Sequence, residues 1–406
     1  MTVTVRRVTT WAGVMGLVLP VSSRSLSAQS SDPAVAMVQR VLRTTPLVDG
    51  HNDLPWRIRE DSTMSRDVEA YDLRRRTPGH TDLARLRAGR VGAQFWSVYV
   101  PGEIKDSGFA RVQLEQIDIA RRVIAKYPEA LRFVTSAAGI RNAFAAGRIG
   151  SLLGMEGGHV IENSLGALRA YYALGARYMT LTHNVTLDWA DAALGEPTHG
   201  GLTAFGKEVV REMNRLGMLV DLSHVSPAVM SDALTVSEAP VIFSHSGARA
   251  LVDHRRNVPD SILARVGKNG GVVMVPFVPG FVSNAVKAWN DSSETWQKSH
   301  PVPRATIGEV ADHIDHVRKV AGVDHVGLGS DFDGITETVQ GLEDVSTFPA
   351  LFLALARRGW KEAELRKLAG ENLLRAFARA EQAAARIARQ RPPSTHTIGE
   401  LDRPGR

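Results

Sequence analysis

The stretch Leu47-Val48-Asp49-Gly50-His51-Asn52-Asp53 decides the fold: a short apolar run closes at a glycine and turns at once into ligating side chains. His51 and Asp53 stand two residues apart, so in an extended chain both project to the same side, which suits two ligands on one cation. Working outward, the same form recurs. Runs rich in Val, Leu, Ile and aromatic residues, bounded by Gly, Pro, Asn or Asp, occupy 47–50 (LVDG), 92–100 (GAQFWSVYV), 149–155 (IGSLLGM) and 176–182 (ARYMTLT). They continue at 218–222 (MLVDL), 240–243 (PVIF), 271–278 (GVVMVPFV) and 325–330 (HVGLGS).

Helix-patterned segments separate these eight runs, the alternation of a parallel sheet. Residues 110–127 carry Leu114, Ile117, Ala120 and Ile124 at the three-and-four spacing of a one-sided helix, with Pro128 as its stop. Segments 202–216, 227–234 and 307–320 read alike. Eight such repeats over roughly 290 residues predict an α/β protein of the (β/α)8 TIM barrel type. A C-terminal helical extension at 365–387 and a long polar insertion at 284–301 complete it. An open doubly wound sheet is the alternative, weakened because no GxGxxG follows the first strand.

The 406 residues fit one such domain, expected over 35–390. A composition of 44% hydrophobic and 23% charged residues excludes disordered and fibrous classes. Residues 1–28 have the order of a secretory signal: Arg6 and Arg7, then the apolar stretch 11–21, then small and polar residues. This predicts an exported protein, periplasmic or secreted, with a retained N-terminal anchor helix as the alternative and twin-arginine export as a weaker match. Setting aside Arg6, Arg7 and Arg24 leaves 46 basic against 43 acidic groups, too balanced for a nucleic-acid partner. Residues 391–406 read as a flexible polar tail with no lipid-anchor signal, so no stable membrane anchor is expected in the mature chain. With no cysteine in the sequence, any metal must be held by His, Asp and Glu.

In a barrel the C-terminal strand ends build the active site. Here they read His51-Asn52-Asp53, Glu156-Gly157-Gly158-His159, Thr182-His183-Asn184, Ser223-His224, Ser244-His245-Ser246 and Asp331-Phe332-Asp333-Gly334. One strand-end histidine alone reads as a hydrogen-bonded structural residue, and Asp-Gly alone as a turn. Around one mouth, however, imidazoles and carboxylates would desolvate and repel one another without a cation. Three imidazoles and two or three carboxylates exceed the needs of one tetrahedral Zn2+, so a pair of metals about 3.5 Å apart is the economical reading.

Several strings, in order, carry a resemblance: VDGHND (48–53), GMEGGH (154–159), LTHN (181–184), WAD (189–191), VDLSHV (220–225), FSHS (243–246), HRRNVP (254–259), GSDFDG (329–334) and GENLLR (370–375). Together they resemble the membrane dipeptidase (renal dipeptidase) family of zinc metallopeptidases. The resemblance implies two Zn2+, one bound by His51 and Asp53, the other by His224 and His245, with Glu156 bridging both. It implies that His183 and Arg256 contact the substrate and its developing oxyanion, that Asp331 handles protons, and that the protein is a homodimer. The expected reaction is hydrolysis of the single peptide bond of a dipeptide by a hydroxide shared between the metals, with a C-terminal D-residue tolerated. Two rival readings are a related barrel hydrolase of β-lactams, N-acyl amino acids or lactones, and an exported zinc- or peptide-binding protein without turnover.

The chain also departs from the animal members. It lacks their disulfides and lipid anchor, and Phe281 stands where a tyrosine is expected. Arg256 has a strand-end salt bridge as its bland alternative, Asp333 reads as a turn-forming or supporting residue, and His199 as a loop residue of the insertion 195–200.

Overall fold

A computed structural model describes residues 32–104 and 108–402; the leader expected at 1–28 lies outside them. The strands among these residues are β1 (Leu47–Asn52), β2 (Val91–Ser97), β3 (Leu131–Phe133), β4 (Ile149–Glu156), β5 (Ala176–Thr180), β6 (Leu219–Asp221), β7 (Ile242–Phe243), β8 (Val272–Val275) and β9 (Val326–Leu328). All pairings between them are parallel. The ring runs β1–β2–β4–β5–β6–β7–β8–β9 and closes where Asp49 of β1 meets Leu328 of β9. This is the expected (β/α)8 barrel, and all eight expected runs are its staves.

The sequence pattern missed β3, which is no stave. It pairs Leu131 with Ile149 on one flank of β4, and β5 takes over that flank where Ala176 meets Leu153. Three residues with only Leu131 fully buried are too short to show a period.

Alternation along each stave divides the core. Val48, Phe95, Leu152, Leu219, Ile242 and Val272 belong to one buried cluster, which also contains Leu373, Leu374, Phe377 and Ala380 of the helix Asn372–Gln390. Their sequence neighbours Leu47, Trp96, Leu153, Phe243 and Val273 belong to the other, larger cluster, packed with the surrounding helices. The barrel interior is therefore a filled core, and the C-terminal helix plugs one end of it.

Two buried carboxylates tie staves together. Asp49 accepts from the backbone and hydroxyl of Ser330, both at 2.7 Å, and from Gln94 Nε2 at 3.0 Å. Asp221 accepts from Thr180 Oγ1 at 2.5 Å and from the backbone and hydroxyl of Ser244 at 2.8 and 2.6 Å. Burial pushes Asp49 up to about 6, against these hydrogen bonds. The Ser330 and Ser244 bonds lie next to Asp331 and His245, strand-end residues that carry chemistry.

The polar insertion forms two short helices, Asn284–Asn290 and Glu294–Ser299. No helix of the described residues is long and apolar enough to cross a membrane.

The tail expected to be flexible is docked as far as residue 402. Ser394 accepts from Arg169 at 2.8 Å, and a short helix Ile398–Leu401 precedes Asp402. Asp402 accepts from the Phe205 backbone at 3.0 Å and the Thr203 hydroxyl at 2.7 Å, capping the helix Ala204–Leu216. An anion on otherwise unpaired first-turn N–H groups is favourable, which composition alone does not reveal. Truncation after Arg391 should lower the unfolding free energy by about 1 kcal/mol, read from the urea midpoint, with little change in activity.

Candidate metal centre and substrate cavity

The C-terminal ends of β1, β4, β6, β7 and β9 converge on one buried cluster. Glu156, the last residue of β4, sits at its middle with its two oxygens divided. Oε2 lies 3.4 Å from His51 Nε2, while Oε1 lies 3.0 Å from His224 Nε2 and 3.5 Å from His245 Nε2. On the His51 side, Asp53 Oδ2 stands 3.1 Å and Asp331 Oδ1 3.9 Å from His51 Nε2. All five expected metal ligands and Asp331 are thus brought together. His183 joins Glu156 and His224 in a further compact group.

Local backbone explains the convergence. His224 and Asp331 adopt left-handed conformations with φ of +67° in both, uncommon for non-glycine residues and found where surroundings over-determine the chain. Asp331 is held by its N–H donating to the His51 carbonyl at 3.1 Å. Gly334 is required by close approach: a Cβ there would lie 2.3 Å from Asp53 Oδ2 and 2.8 Å from Asp331 Oδ1.

Behind the cluster lies a set of partners that sequence reasoning missed. His51 Nδ1 meets the Tyr178 hydroxyl at 2.8 Å, His224 Nδ1 meets Asn184 Oδ1 at 3.0 Å, and His245 Nδ1 meets Ser244 Oγ at 2.9 Å. Asn184 Oδ1 can only accept, so His224 donates from Nδ1. Ser244 directs its own hydrogen to Asp221, so His245 also donates from Nδ1. Both Nε2 atoms therefore carry lone pairs, and they face each other at 2.9 Å. Burial holds both imidazoles well below their usual range, with the neighbouring positive charge of Arg256 acting in the same direction. Two facing lone pairs beside a carboxylate call for a cation.

The electrostatics agree. Burial works against a proton on His51, yet Tyr178, Glu156 and Asp53 together raise its proton affinity well above normal. Glu156 is held well below the usual carboxylate range, the charge of His51 outweighing its burial. Asp331 is pushed well up by burial, reinforced by Asp53 and Glu156 and opposed by His51 and Arg256. Meanwhile His51 Nε2 and Asp53 Oδ1 are buried without a hydrogen bond of acceptable geometry. The nitrogen and oxygen donors, their number and their orphaned atoms fit a bound metal.

Glycine also shapes this layer. Gly154 of β4 stands where a Cβ would lie 2.0 Å from Tyr178 Cζ, so only glycine lets that ring cross to His51.

The cluster floors a cavity of about 680 Å3 whose walls include Trp56, Tyr99, His183, Arg256 and Phe281. Arg256 is 1% exposed, and none of its three guanidinium nitrogens finds an acceptor among the described residues, so the salt-bridge alternative does not hold. Burial lowers it to about 10, which leaves it charged at neutral pH. Its guanidinium lies 5.3 Å from the Phe281 ring. Neighbouring Asn257 fixes the loop: its Oδ1 accepts from Gly247 N, and its Nδ2 donates to the carbonyls of Val252 and Phe281. His183, lowered by burial, is a neutral imidazole with Nδ1 unpartnered.

Other motif residues are structural. His159 bonds the Val100 carbonyl at 2.8 Å and is lowered by burial to about 4. Asp191 gathers the backbone N–H groups of Thr198, His199 and Gly201, and His199 bonds the Leu187 carbonyl. Asp333 clasps His80: its Oδ1 accepts from His80 N at 2.6 Å, and its N donates to His80 Nδ1 at 2.9 Å.

A barrel whose rim gathers imidazoles and carboxylates about one shared glutamate, beneath a cavity with an unpaired arginine, has the build of a metal-dependent hydrolase. The particular family follows from the chain itself: the membrane dipeptidase family (peptidase family M19) matches residues 35–391, and the protein belongs to it. It is a metallopeptidase of the membrane dipeptidase type.

Solved structures agree. Dipeptidase AC, a metallopeptidase of family M19, is 28% identical with a TM-score of 0.73, over 83% of this chain and 99% of that one. A metallopeptidase from Rhodobacter sphaeroides, liganded with a phosphinate mimic of the dipeptide L-Ala-D-Ala, is 27% identical with a TM-score of 0.72, over 83% and 99%. The probable dipeptidase PvdM from Pseudomonas aeruginosa shares the fold at 23% identity, with a TM-score of 0.76 over 86% and 99%.

Because Tyr178 orients His51 without touching the cavity, Tyr178→Phe should weaken metal binding roughly 10-fold while the fold is kept. Competition with a chromogenic chelator, alongside circular dichroism, measures both.

Proposed function

We propose that the protein is a zinc dipeptidase that holds two cations, one at His51 and Asp53, one at His224 and His245, with Glu156 bridging them. The observation that carries this reading is the division of the Glu156 carboxylate, one oxygen toward His51 and the other toward the His224–His245 pair. The zinc pair, when bound, supplies Lewis acidity toward the peptide carbonyl and a water acidified to near neutrality.

The chain's own groups do the rest. Asp331 takes a proton on its carboxylate and passes it to the departing amide nitrogen, a role supported by its raised proton affinity and its place beside His51. His183, neutral and unpartnered at Nδ1, stabilises the oxygen of the carbonyl under attack. Arg256 clamps the substrate's C-terminal carboxylate; a buried guanidinium lacking any protein acceptor is suited to an anionic ligand. A free carboxylate one residue beyond the scissile bond limits the leaving side to a single residue. The phosphinate mimic of L-Ala-D-Ala held by the Rhodobacter sphaeroides relative supports acceptance of a C-terminal D-residue here.

Hydrolysis of L,L and L,D dipeptides should vanish on complete chelation and return with Zn2+. Asp331→Asn should lower kcat at least about 100-fold while metal content stays at wild-type level. Activity that survives full metal removal would refute the mechanism. Replacing the substrate's terminal carboxylate by an amide should raise KM steeply in the wild type, and Arg256→Gln should narrow that gap to about 10-fold or less.

A further inference from the structure

The order of the staves sets the direction in which a substrate crosses the mouth. In the closed ring β1–β2–β4–β5–β6–β7–β8–β9, β2 stands four places from β7 either way round, so the two face each other across the barrel axis. Arg256 belongs to the segment after β7, and Tyr99 to the segment after β2. A dipeptide with its C-terminal carboxylate at Arg256 and its scissile carbonyl over Glu156 therefore carries its N-terminal residue toward Tyr99.

Two loops build that wall. Trp56, in the helix Leu54–Arg59 that follows Asp53 directly, meets the Tyr99 ring edge to face at 5.0 Å, and both line the catalytic cavity together with Glu60, which ends the helix. Glu60 is exposed, and its carboxylate has no ion pair among the described residues. Burial raises the proton affinity of the Tyr99 hydroxyl, and Glu156, Glu103, Asp53 and Glu60 raise it further, so the wall lies in a negative field. The nearby cations are engaged or placed elsewhere. Arg59, 5.7 Å from the Trp56 ring, is bound to Glu115 at 2.7 Å. Arg57 also lines the cavity, but its charge acts on His80 and Tyr71, beside Asp333.

Distance decides which cation Glu60 can meet. It lies seven residues beyond Asp53, about 10 Å along the helix at 1.5 Å per residue. The substrate's α-ammonium, one carbon from the scissile carbonyl, stays beside the metal cluster, whereas a side chain with the four-carbon stem of lysine extends toward Glu60 past two aromatic rings that attract a cation. We infer that Trp56, Tyr99 and Glu60 form a subsite for a cationic side chain at the N-terminal position of the dipeptide. This rests on the dipeptidase reading and extends it to substrate class.

The test compares Lys-Ala with norleucyl-Ala, which has the same stem without the charge, and with Glu-Ala, on zinc-loaded protein. Wild type should favour Lys-Ala over norleucyl-Ala about 5-fold in kcat/KM, mostly through KM, and the ratio should fall toward unity in about 0.5 M salt. Glu60→Gln should cut the ratio to about 2-fold, and Glu60→Lys should reverse the order of Lys-Ala and Glu-Ala. Each ratio is taken within one protein, so a general loss of activity cancels. Calorimetric titration of the same dipeptides into metal-loaded Asp331→Asn protein reads the subsite without turnover. Discrimination in binding with no hydrolysis by wild type would refute the dipeptidase reading and uphold the subsite. Equal values for Lys-Ala and norleucyl-Ala, or a preference that both Glu60 variants leave intact, would overturn it.

Discussion

The structure depends on the need for positive charge at Glu156. A buried carboxylate flanked by His51 on one oxygen and by His224 and His245 on the other is stable only if cations or protons lie between them. The surrounding layers all serve that need. Tyr178, Asn184 and Ser244 turn the imidazole lone pairs inward, and Asp221 fixes Ser244, so a carboxylate at the end of β6 sets the tautomer of a histidine after β7. Without this orientation the same residues would form ordinary hydrogen bonds and the convergence would carry no chemistry.

Much of this was legible in the sequence because barrel closure is a simple constraint. Apolar runs ending in His51, Glu156, His224, His245 and Asp331 have one common destination once eight of them are counted, and the residues meet as expected. The supporting layer was not legible. Tyr178 reads in its run as one more strand aromatic, and its hydroxyl finds His51 only because Gly154 on the adjacent stave leaves room. A glycine inside a strand was the available signal, but its partner is set by register, which the sequence does not display. Asp333 and His159 show the converse: both stand in family motifs, yet one clasps a loop and the other props a backbone carbonyl. The docked tail was hidden for a related reason, since Asp402 acts through a helix end nearly two hundred residues earlier in the chain.

The two ends of the barrel have different duties. At one, loops after the strands carry ionisable groups in uncommon backbone conformations, including His224 and Asp331. At the other, Leu373, Leu374 and Phe377 fill the interior with no polar function. Packing and chemistry are thus separated along the barrel axis, so the rim can hold strained, desolvated groups on a scaffold whose cohesion lies elsewhere.

That plug has a consequence for how the molecule comes into being. The stave that closes the ring, Asp331 and the helix that stoppers the interior are all encoded after residue 325. A polypeptide lacking these residues holds an unsealed sheet with bare edges and has no Asp331 beside its ligands. Closure therefore waits on the residues after 325, and catalytic competence arrives together with them instead of growing by stages.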